Sequence, residues 1–522
     1  MNLKSIFFLL LLICIGGCLS LLFGQDISSF SLTQAIYPPH AILNTRLSMD
    51  FMAGGIGMEA QNPLLLLPYY LTWVCLNEHP LLAAFLQGIP YGLLIFFIYK
   101  IYNYAQNNKS KSLFFIVIFL IAISGQATLN QIGHAESFLW IALLETLALW
   151  LIYTSKKNSK KCFFGFFIAA FAAGLHISAI PFCLALFCIF LFMPTHAKTN
   201  HLLYCFSIGI LGFSIGLFPA AWYCWKTTGS WANMLTALWP IGWPFPPSPF
   251  ANLQELPSGI SEWLFLPFDR LSFAFPKYQL DIRLCGGLLA SLILVGNLLW
   301  GSTKERNEER KNPLPALFLI TYLGWLVAFR DATSSIFLEI LGAFLVYQCL
   351  YWLIGKVPAI CIVAIGAWYI FQPALSHERQ GFEHKNFYFS NTPVITLNAL
   401  VLQVGHISGL IPFLSQEAKY VGGFWFDEAD FEIKNQFFVQ HYHTLPTGYY
   451  SHKFDEEIKQ EIANHSGDIF VLCKKDKIVN NKKSWLRYGI VWKDSLDSCQ
   501  ILSTNTPNSK PYLLCRVQKQ VL

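Results

Sequence analysis

The segment PLLLLPYYLTWVCL, residues 63–76, decides how often this chain crosses a membrane. It is apolar, but it has only 14 residues and contains Pro68, whereas a crossing helix needs about 20 apolar residues. A crossing here would also place Lys100, Lys109 and Lys111, which accompany the next apolar run, outside the cytoplasm. Lysines and arginines are enriched in cytoplasmic loops instead. We therefore predict that residues 63–76 form a helix in the membrane interface.

The composition predicts a membrane protein. The chain has 522 residues, of which 54% are hydrophobic and only 13% are charged, and its mean hydropathy is +0.45. A water-soluble core cannot enclose so much apolar surface, so most of the chain must contact the lipid bilayer. The formal net charge of +6 is explained by basic cytoplasmic loops, so it predicts no nucleic-acid partner.

Apolar runs predict 11 crossings in all. The first, residues 6–23, follows Lys4, which favours a cytoplasmic N-terminus. A cleaved signal is the alternative, but the apolar run continues beyond Cys18, where a cleaved signal would turn polar. The other predicted crossings are residues 81–101, 113–124, 136–153, 163–174, 178–193, 202–225, 284–300, 314–329, 336–354 and 357–371. Basic residues then fall in alternate loops, with the C-terminus outside.

The predicted fold class is a mainly α polytopic membrane protein with a small C-terminal α/β domain outside the cytoplasm. Residues 1–375 form the transmembrane domain, with outside loops at residues 25–80 and 226–283. Residues 376–522 form the soluble domain, in which charged residues become frequent and no apolar run is long enough to cross. Three segments there predict short buried strands, residues 394–401, 468–473 and 512–517, and residues 455–464 predict a helix.

Three cysteines belong to this C-terminal domain: Cys473, Cys499 and Cys515. In an oxidising compartment two of them are expected to pair. A bond from Cys473 to Cys515 would join two predicted strands, but sequence alone leaves the connectivity open.

Asp50 is the first candidate for chemistry. It lies in the first outside loop, and its neighbours from Met49 to Gly55 are small or apolar. Such neighbours bring a carboxylate against a surface instead of into bulk water, which favours a general base. The alternative is an ordinary solvated carboxylate.

The order of these features resembles the GT-C class of membrane glycosyltransferases. The resemblance rests on a first crossing, an outside loop with an acid, the sequence Asn62-Pro63-Leu64-Leu65 and then a second crossing. It is similar to the protein mannosyltransferases, the lipid A aminoarabinose transferases and an uncharacterised bacterial branch. In several of these the matching motif begins with histidine, where this chain has Asn62. The resemblance implies inverting transfer of a sugar from a polyprenyl-phosphate donor to an extracytoplasmic lipid, glycan or protein acceptor, at a bacterial inner membrane.

The resemblance also implies roles for individual residues. Asp50 would be the base and Glu136 a second carboxylate, while Arg330 would hold the donor phosphate. The other substrate-binding candidates are His134, Arg46, Asn62, Arg270 and Arg283. Structural alternatives stay open, because Glu136 also suits a helix N-terminus and Arg330 also suits a salt bridge. No motif predicts a cofactor, and a divalent metal remains an open question.

Two further functions compete with a transferase. Glu145 and Glu339 fall inside predicted crossings, where carboxylates are costly and often serve transport, so a transporter or flippase is one alternative. His176, between two short crossings, is a candidate partner for Glu145. A non-catalytic scaffold that displays the C-terminal domain is the other alternative. The aromatic, proline-rich loop at residues 226–283 predicts either interfacial anchoring or a groove for a lipid tail.

Overall fold

The fold is known from a computed structural model. It describes residues 3–23, 37–44, 51–52, 62–76, 79–105, 114–123, 125–133, 138–155, 159–192, 199–228, 282–300, 313–328, 335–376, 395–396, 398–404, 418–424, 459–474, 489–491, 499–502 and 512–519.

The described part of the chain is mostly helical. The helices are α1 (Leu3–Phe23), α2 (Tyr37–Leu43), α3 (Pro63–Cys75), α4 (Pro80–Leu86), α5 (Ile89–Ala105), α6 (Phe114–Ile123), α7 (Gln126–Gln131), α8 (Leu139–Tyr153), α9 (Ser159–Leu175), α10 (Ile180–Phe192), α11 (Thr199–Thr228), α12 (Ile282–Trp300), α13 (Leu314–Ala328), α14 (Ile336–Ile354) and α15 (Lys356–Ser376). A 3₁₀ turn at Ile177–Ala179 separates α9 from α10. Within the described ranges, strands near the C-terminus and at Phe51–Met52 make up one seven-stranded sheet.

Four helical segments among the described residues are long and apolar enough to cross a membrane. They are Ser5–Phe23, Leu81–Tyr104, Leu203–Tyr223 and Ile336–Ile354. Each coincides with a predicted crossing, so the chain has the features of a membrane protein. The other predicted crossings contain helices that do not reach the same length and hydropathy over the described residues. The count of 11 therefore stays a prediction.

The chain divides into two compact units. The helical unit consists of Met1–Gln25, Ala84–Phe218 and Pro249–Arg379, and the sheet unit consists of Asp26–Ala83, Pro219–Ser248 and Gln380–Leu522. The predicted first outside loop and the predicted soluble domain thus belong largely to one unit. This division was not anticipated, because a sequence pattern does not reveal which distant segments pack together.

Helices α1 and α5 pack closely through glycines. A Cβ atom added at Gly92 would lie 2.5 Å from the carbonyl oxygen of Leu12, and one added at Gly16 would lie 2.9 Å from the Gly92 nitrogen. Gly88 makes a similar approach to Gly16. Gly88 and Gly92 form the small-xxx-small pattern that lets two helix backbones meet without intervening side chains.

Helix α1 and the segment Leu81–Tyr104 run in opposite directions. Near the start of α1, the rings of Phe8 and Tyr99 lie 4.7 Å apart, whereas near its end Ser20 Oγ donates a hydrogen bond to the Ala84 carbonyl at 2.7 Å. Ser20 and Ala84, which precede and follow the predicted first outside loop, therefore lie at the same end of the helical unit. The interfacial placement of residues 63–76, which include α3, stays a prediction.

The C-terminal ends of helices α1 and α15 lie on the same side of the helical unit. The rings of Phe23 and Phe371 lie 5.9 Å apart, close to the C-terminal ends of the two helices. Gly355 alone separates α14 from α15, with a φ of 86°, and the two helices pack on one another. Helix α14 therefore begins at the end of the helical unit where α1 and α15 finish.

The sheet unit contains a mixed sheet. Its strands are β1 (Phe51–Met52), β2 (Leu400–Val404), β3 (Lys419–Phe424), β4 (Ile469–Lys474), β5 (Ile490–Val491), β6 (Cys499–Leu502) and β7 (Tyr512–Lys519). The order is β1-β3-β2-β4-β7-β5, and β6 also pairs with β7. Strands β1 to β4 are parallel, and β7 is antiparallel to β4, β5 and β6. The predicted strands at 468–473 and 512–517 match β4 and β7, whereas the one at 394–401 overlaps β2 only at its end.

The cysteine bond in the structure joins Cys499 to Cys515. The option of a bond from Cys473 to Cys515 is wrong, for a reason of register. Strands β4 and β7 do pair, but Cys473 lies opposite Leu513, while Cys515 lies opposite Val471 on one side and Cys499 on the other. Cys473 is buried and forms no disulfide.

The sheet unit is expected to lose stability as pH falls below about 6.5, the ordinary pKa of histidine. Burial, followed by the nearby ammonium of Lys519, lowers the pKa of His465. The unfolded chain therefore binds a proton on this histidine more readily, and acid favours unfolding. Asp468 adds a further loss of folding stability at lower pH, because hydrogen bonds from the Thr396 hydroxyl and from Arg516 lower its pKa.

This expectation is measured by maleimide labelling of buried Cys473 in urea at pH 5 to 8, with the full-length protein in detergent. His465→Gln removes the titrating group and should flatten the wild-type dependence between pH 7 and pH 5. Because both proteins are compared at each pH, the intrinsic reactivity of the thiol cancels. Equal slopes in the two proteins would show that His465 is not responsible.

Candidate functional site

Most residues that the sequence singles out lie outside the described residues. These are Asp50, Glu136, His134, Arg330, Arg46 and Arg270. Arg283 is in helix α12, but its side chain is outside the described part of the chain. The roles assigned to these residues stay predictions, and the structure bears on them through their described neighbours.

Asn62 is the one predicted site residue whose side chain is described. It is buried, with 2% of its surface exposed, and it is the N-cap of α3. Its Oδ1 accepts a hydrogen bond from the Leu64 backbone nitrogen at 3.0 Å, and Pro63 fills the first helical position. Asparagine and proline are favoured at these two positions. This capping role explains the Asn62-Pro63-Leu64-Leu65 sequence without a substrate.

Beside this cap lies a polar cluster that the sequence reading missed. Asn44 Nδ2 donates to Nδ1 of His40 at 3.1 Å, and the Tyr70 hydroxyl lies 3.1 Å from the same nitrogen. His40 is buried, and the contact joins α2 to α3. The spacing of four residues between His40 and Asn44 is the one available signal, because it places both on one helix face. The cluster ties α2 to α3, which precede and follow residue 50 in the chain.

Phe51, the residue after Asp50, is in the sheet. Strand β1 pairs in parallel with β3, with Phe51 opposite Val421 and Met52 opposite Gly422. The backbone that carries Asp50 thus enters strand β1 one residue later, at the edge of the C-terminal sheet. A two-residue strand has no alternating pattern long enough to be recognised, so the sequence did not predict this pairing.

Helices that flank the other candidate residues are tied together by Glu339. This carboxylate is fully buried and accepts three hydrogen bonds: from the backbone nitrogens of Ala127 and Thr128, at 2.9 and 3.1 Å, and from the Thr128 hydroxyl at 2.9 Å. It therefore joins the start of α14 to the start of α7. The sequence indicated Glu339 only as an intramembrane acid, because its partners 211 and 212 residues away have no sequence signal.

The segment around His134 and Glu136 is held at both ends. It begins after α7 and Gly133, whose φ is 76°, and it ends at Phe138. The side chain of Gln131, which is buried, accepts a hydrogen bond from the Phe138 backbone nitrogen at 3.1 Å. This bond ties the end of α7 to the residue that precedes α8.

The contacts shown for His176 are with Phe138, at the start of α8, and with Ser178. Its ring meets Phe138 edge-on at 4.9 Å, and its Nδ1 lies 2.7 Å from the Ser178 hydroxyl. Phe138 precedes Glu145 by seven residues, or about 10 Å along a helix axis. The expected pairing of His176 with Glu145 is therefore not the contact that the structure shows for this histidine.

Glu145 is buried in the middle of α8. The thiol of Cys183 on α10 is a titratable neighbour of its carboxyl group. Among the contacts of the described residues, no hydrogen bond to this carboxyl group is present, in contrast to Glu339. A charged carboxyl group at membrane depth costs free energy, so such groups are commonly protonated or have a function in transport.

The described residues contain no group of three or more His, Cys, Asp or Glu side chains able to hold a metal ion. A cavity of about 20 Å³ between α8, α10 and α13 is apolar and of water size, with Leu149, Leu186 and Leu317 in its lining. Tyr153 is the one lining residue with a polar side-chain group.

Comparisons with known proteins add no relative. No protein-family model matches the chain, and no curated protein matches it significantly. A functional assignment therefore rests on the geometry of the described residues and on the resemblance in the order of the segments.

Proposed function

We propose that the chain is a GT-C-like glycosyltransferase that moves a sugar from a polyprenyl-phosphate donor to an extracytoplasmic acceptor. The observation that carries the proposal is the pairing of β1 with β3, which places Phe51, the residue after Asp50, at the edge of the C-terminal sheet. A transferase needs its base fixed near the membrane face, where the lipid-linked donor presents its sugar. A scaffold needs no link between this loop and the C-terminal domain.

In the proposed reaction, the acceptor hydroxyl gives its proton to Asp50 while its oxygen attacks the anomeric carbon of the sugar. The bond from that carbon to the phosphate oxygen breaks, and polyprenyl phosphate leaves with the bonding electron pair. Arg330 holds the leaving phosphate, for which the planar guanidinium is suited. Glu136 and His134 contact the sugar or the acceptor, and the configuration at the anomeric carbon is inverted.

Two observations support a shared face for these groups. Ser20 and Ala84, which precede and follow the predicted first outside loop, lie at one end of the helical unit, and α14, which follows Arg330, begins at that same end. Glu339 then joins α14 to α7, which precedes His134 and Glu136. The proposed topology is 11 crossings with a cytoplasmic N-terminus and a periplasmic C-terminal domain in a bacterial inner membrane. The Cys499–Cys515 bond suits that oxidising compartment.

A transporter is the second candidate, because Glu145 is a buried carboxyl group in α8 with no hydrogen bond among the described contacts. Proton relays use acids of this kind. The transporter hypothesis predicts that Glu145 is indispensable, whereas the transferase hypothesis makes it dispensable.

One experiment separates the two candidates. Purified protein in liposomes is supplied with radiolabelled polyprenyl-phosphate sugars and a membrane extract as acceptor, and both sugar transfer and proton movement are followed. We expect donor consumption without proton movement, and equal consumption by Glu145→Gln. Proton or lipid movement that depends on Glu145, with the donor intact, would establish the transporter instead.

The proposed topology is tested independently by reporter fusions after Lys111 and after Ser376. A cytoplasmic signal is expected at the first position and a periplasmic signal at the second. A cytoplasmic reporter at Ser376 would separate the C-terminal domain from the donor face and rule out the proposed site.

A further inference from the structure

We infer that Cys162 and Cys205 form a reversible redox pair, in which a disulfide bond locks helix α9 to helix α11. The two thiols are in contact in the structure, and neither cysteine is part of a disulfide there. The inference does not depend on the proposed transferase, because neither cysteine belongs to that site. The sequence did not indicate the pair, since the two cysteines belong to different apolar helices.

The contact lies between the first turn of α9 and the second turn of α11. Cys162 has no exposed surface, and Cys205 is 1% exposed. The Cys162 thiol is hydrogen-bonded to the Cys205 thiol and to the side chain of Ser155, which is also buried. Beside the thiols, the rings of Phe163 and Tyr204 lie 5.2 Å apart. Two successive positions on each helix therefore meet at this point.

Helices α9 and α11 remain closely packed beyond the thiols. A Cβ atom added at Gly212 would lie 2.4 Å from the Phe167 carbonyl oxygen, and one added at Gly216 would lie 2.4 Å from that of Phe171. The contact advances by four residues on both helices, so the helices run in the same direction. Gly212 and Gly216 form a small-xxx-small pair, which lets the two backbones touch. A disulfide requires Cα atoms about 4.4–6.8 Å apart, and closely packed backbones permit that spacing.

The reaction needs an oxidant, and a small disulfide such as oxidised glutathione supplies it. The thiolate of one cysteine attacks the small disulfide, forms a mixed disulfide and releases one small thiol. The thiolate of the other cysteine then attacks the protein sulfur of the mixed disulfide and releases the second small thiol. The protein loses two electrons and two protons, which the oxidant takes up. Because both cysteines are buried, the reaction requires local opening of the helix ends and is expected to be slow.

The predicted topology places the pair at the cytoplasmic face. Lys160 and Lys161 precede Cys162 in α9, and Lys198 precedes α11. Basic residues beside apolar helices are enriched on the cytoplasmic side. The cytoplasm keeps thiols reduced, so the bond is expected to form only under oxidative stress. A pair that closes only then is a switch and not a structural cross-link.

The test exposes the full-length protein in its native membranes to oxidised glutathione, blocks the remaining thiols and identifies linked peptides by mass spectrometry. A peptide pair joined through Cys162 and Cys205 is expected, and dithiothreitol should release it. Cys183 and Cys188 on α10 are the internal control. Both are less buried than the pair, but they lie five residues apart on different faces of one helix. They should form no bond with each other.

The lock itself is measured by thermal unfolding in detergent. Oxidised glutathione should raise the unfolding midpoint of the wild-type protein, because the cross-link restricts the unfolded chain. Cys205→Ser removes one sulfur and keeps a side chain of similar shape, so its midpoint should not respond to the oxidant. Dibromobimane, which fluoresces when it bridges two neighbouring thiols, should label the reduced wild-type protein but not Cys205→Ser. This label reports the contact without any oxidation.

Each contrary outcome identifies the step that is wrong. Bridging by dibromobimane without a linked peptide after oxidation would leave the contact intact and overturn the redox role. An equal rise of the midpoint in Cys205→Ser would show that oxidation elsewhere stabilises the protein and would overturn the lock. In untreated cells, rapid acid quenching and thiol blocking should find the pair reduced. A pair already bonded there would be a structural disulfide, and the switch would be excluded.

Discussion

Asp50→Asn is expected to lower sugar transfer by about 10²- to 10⁴-fold, the usual contribution of a general base. Asparagine keeps the size and polarity of the side chain but cannot accept the proton of the acceptor hydroxyl. The strand that starts at Phe51 pairs through its backbone, so it should persist in the variant. The measurement is kcat for consumption of the lipid-linked sugar by purified protein, at matched folded yield.

Asp26→Asn serves as the control for Asp50→Asn, because Asp26 is an aspartate in the same predicted outside loop, just beyond α1. It removes an equal charge and should leave transfer unchanged. The pH–rate profile gives a second readout: the wild-type rate should fall at low pH as the base is protonated, and that acid limb should disappear in Asp50→Asn. Wild-type turnover in Asp50→Asn would exclude Asp50 as the base.

Gly92→Leu is expected to destabilise the helical unit by about 3 kcal/mol or more, at the upper end of the cost of overpacking. A Cβ atom at this position would lie 2.5 Å from the Leu12 carbonyl oxygen and 2.7 Å from the Ile13 Cα. Both are backbone atoms, so α1 and α5 must separate. The separation would also pull apart the Ser20–Ala84 hydrogen bond near the end of α1. The measurement is the thermal unfolding midpoint and the monodisperse fraction in detergent.

The matched control for Gly92→Leu is Gly366→Leu. Gly366 also lies in an apolar helix, α15, but nothing is within 4 Å of a Cβ added there. This substitution removes the same glycine flexibility and adds the same side chain without a clash. Gly366→Leu should therefore unfold near the wild-type temperature. Equal midpoints for the two variants would show that close approach of α1 and α5 is not needed for stability.

Hydropathy and charge located the helices well because these properties are local. The first, second, seventh and tenth predicted crossings coincide with the four helical segments able to cross a membrane among the described residues. The interfacial assignment of residues 63–76 came from three lysines, and it stays a prediction. The expectation that two of the three C-terminal cysteines pair is confirmed, but which two could not be predicted, for the opposite reason. Register decides whether Cys515 meets Cys473 or Cys499, and register is a relation between strands that are far apart in the chain.

The candidate site shows the same contrast between local sequence signals and contacts between distant segments. The acids, the histidine and the arginines are visible as residue types in loops next to apolar runs, and a resemblance in segment order suggested their roles. The sequence showed Glu339 only as a carboxylate inside a predicted crossing. The structure shows that its hydrogen-bond partners are on α7. Asn62 had a predicted role in substrate binding, and the described side chain caps α3.

By itself, the sequence determined that this is a largely helical membrane protein with a small C-terminal sheet, because burial of apolar side chains in lipid depends on composition and run length. It also determined that residues 63–76 are too short and too interrupted to be a standard crossing. Only the tertiary structure decided that the Asp50 loop contributes a strand to the C-terminal sheet, and that one glutamate caps a helix more than 200 residues away. Those contacts join backbone segments that are far apart in the sequence, and no local pattern of residues predicts which distant segments pack together.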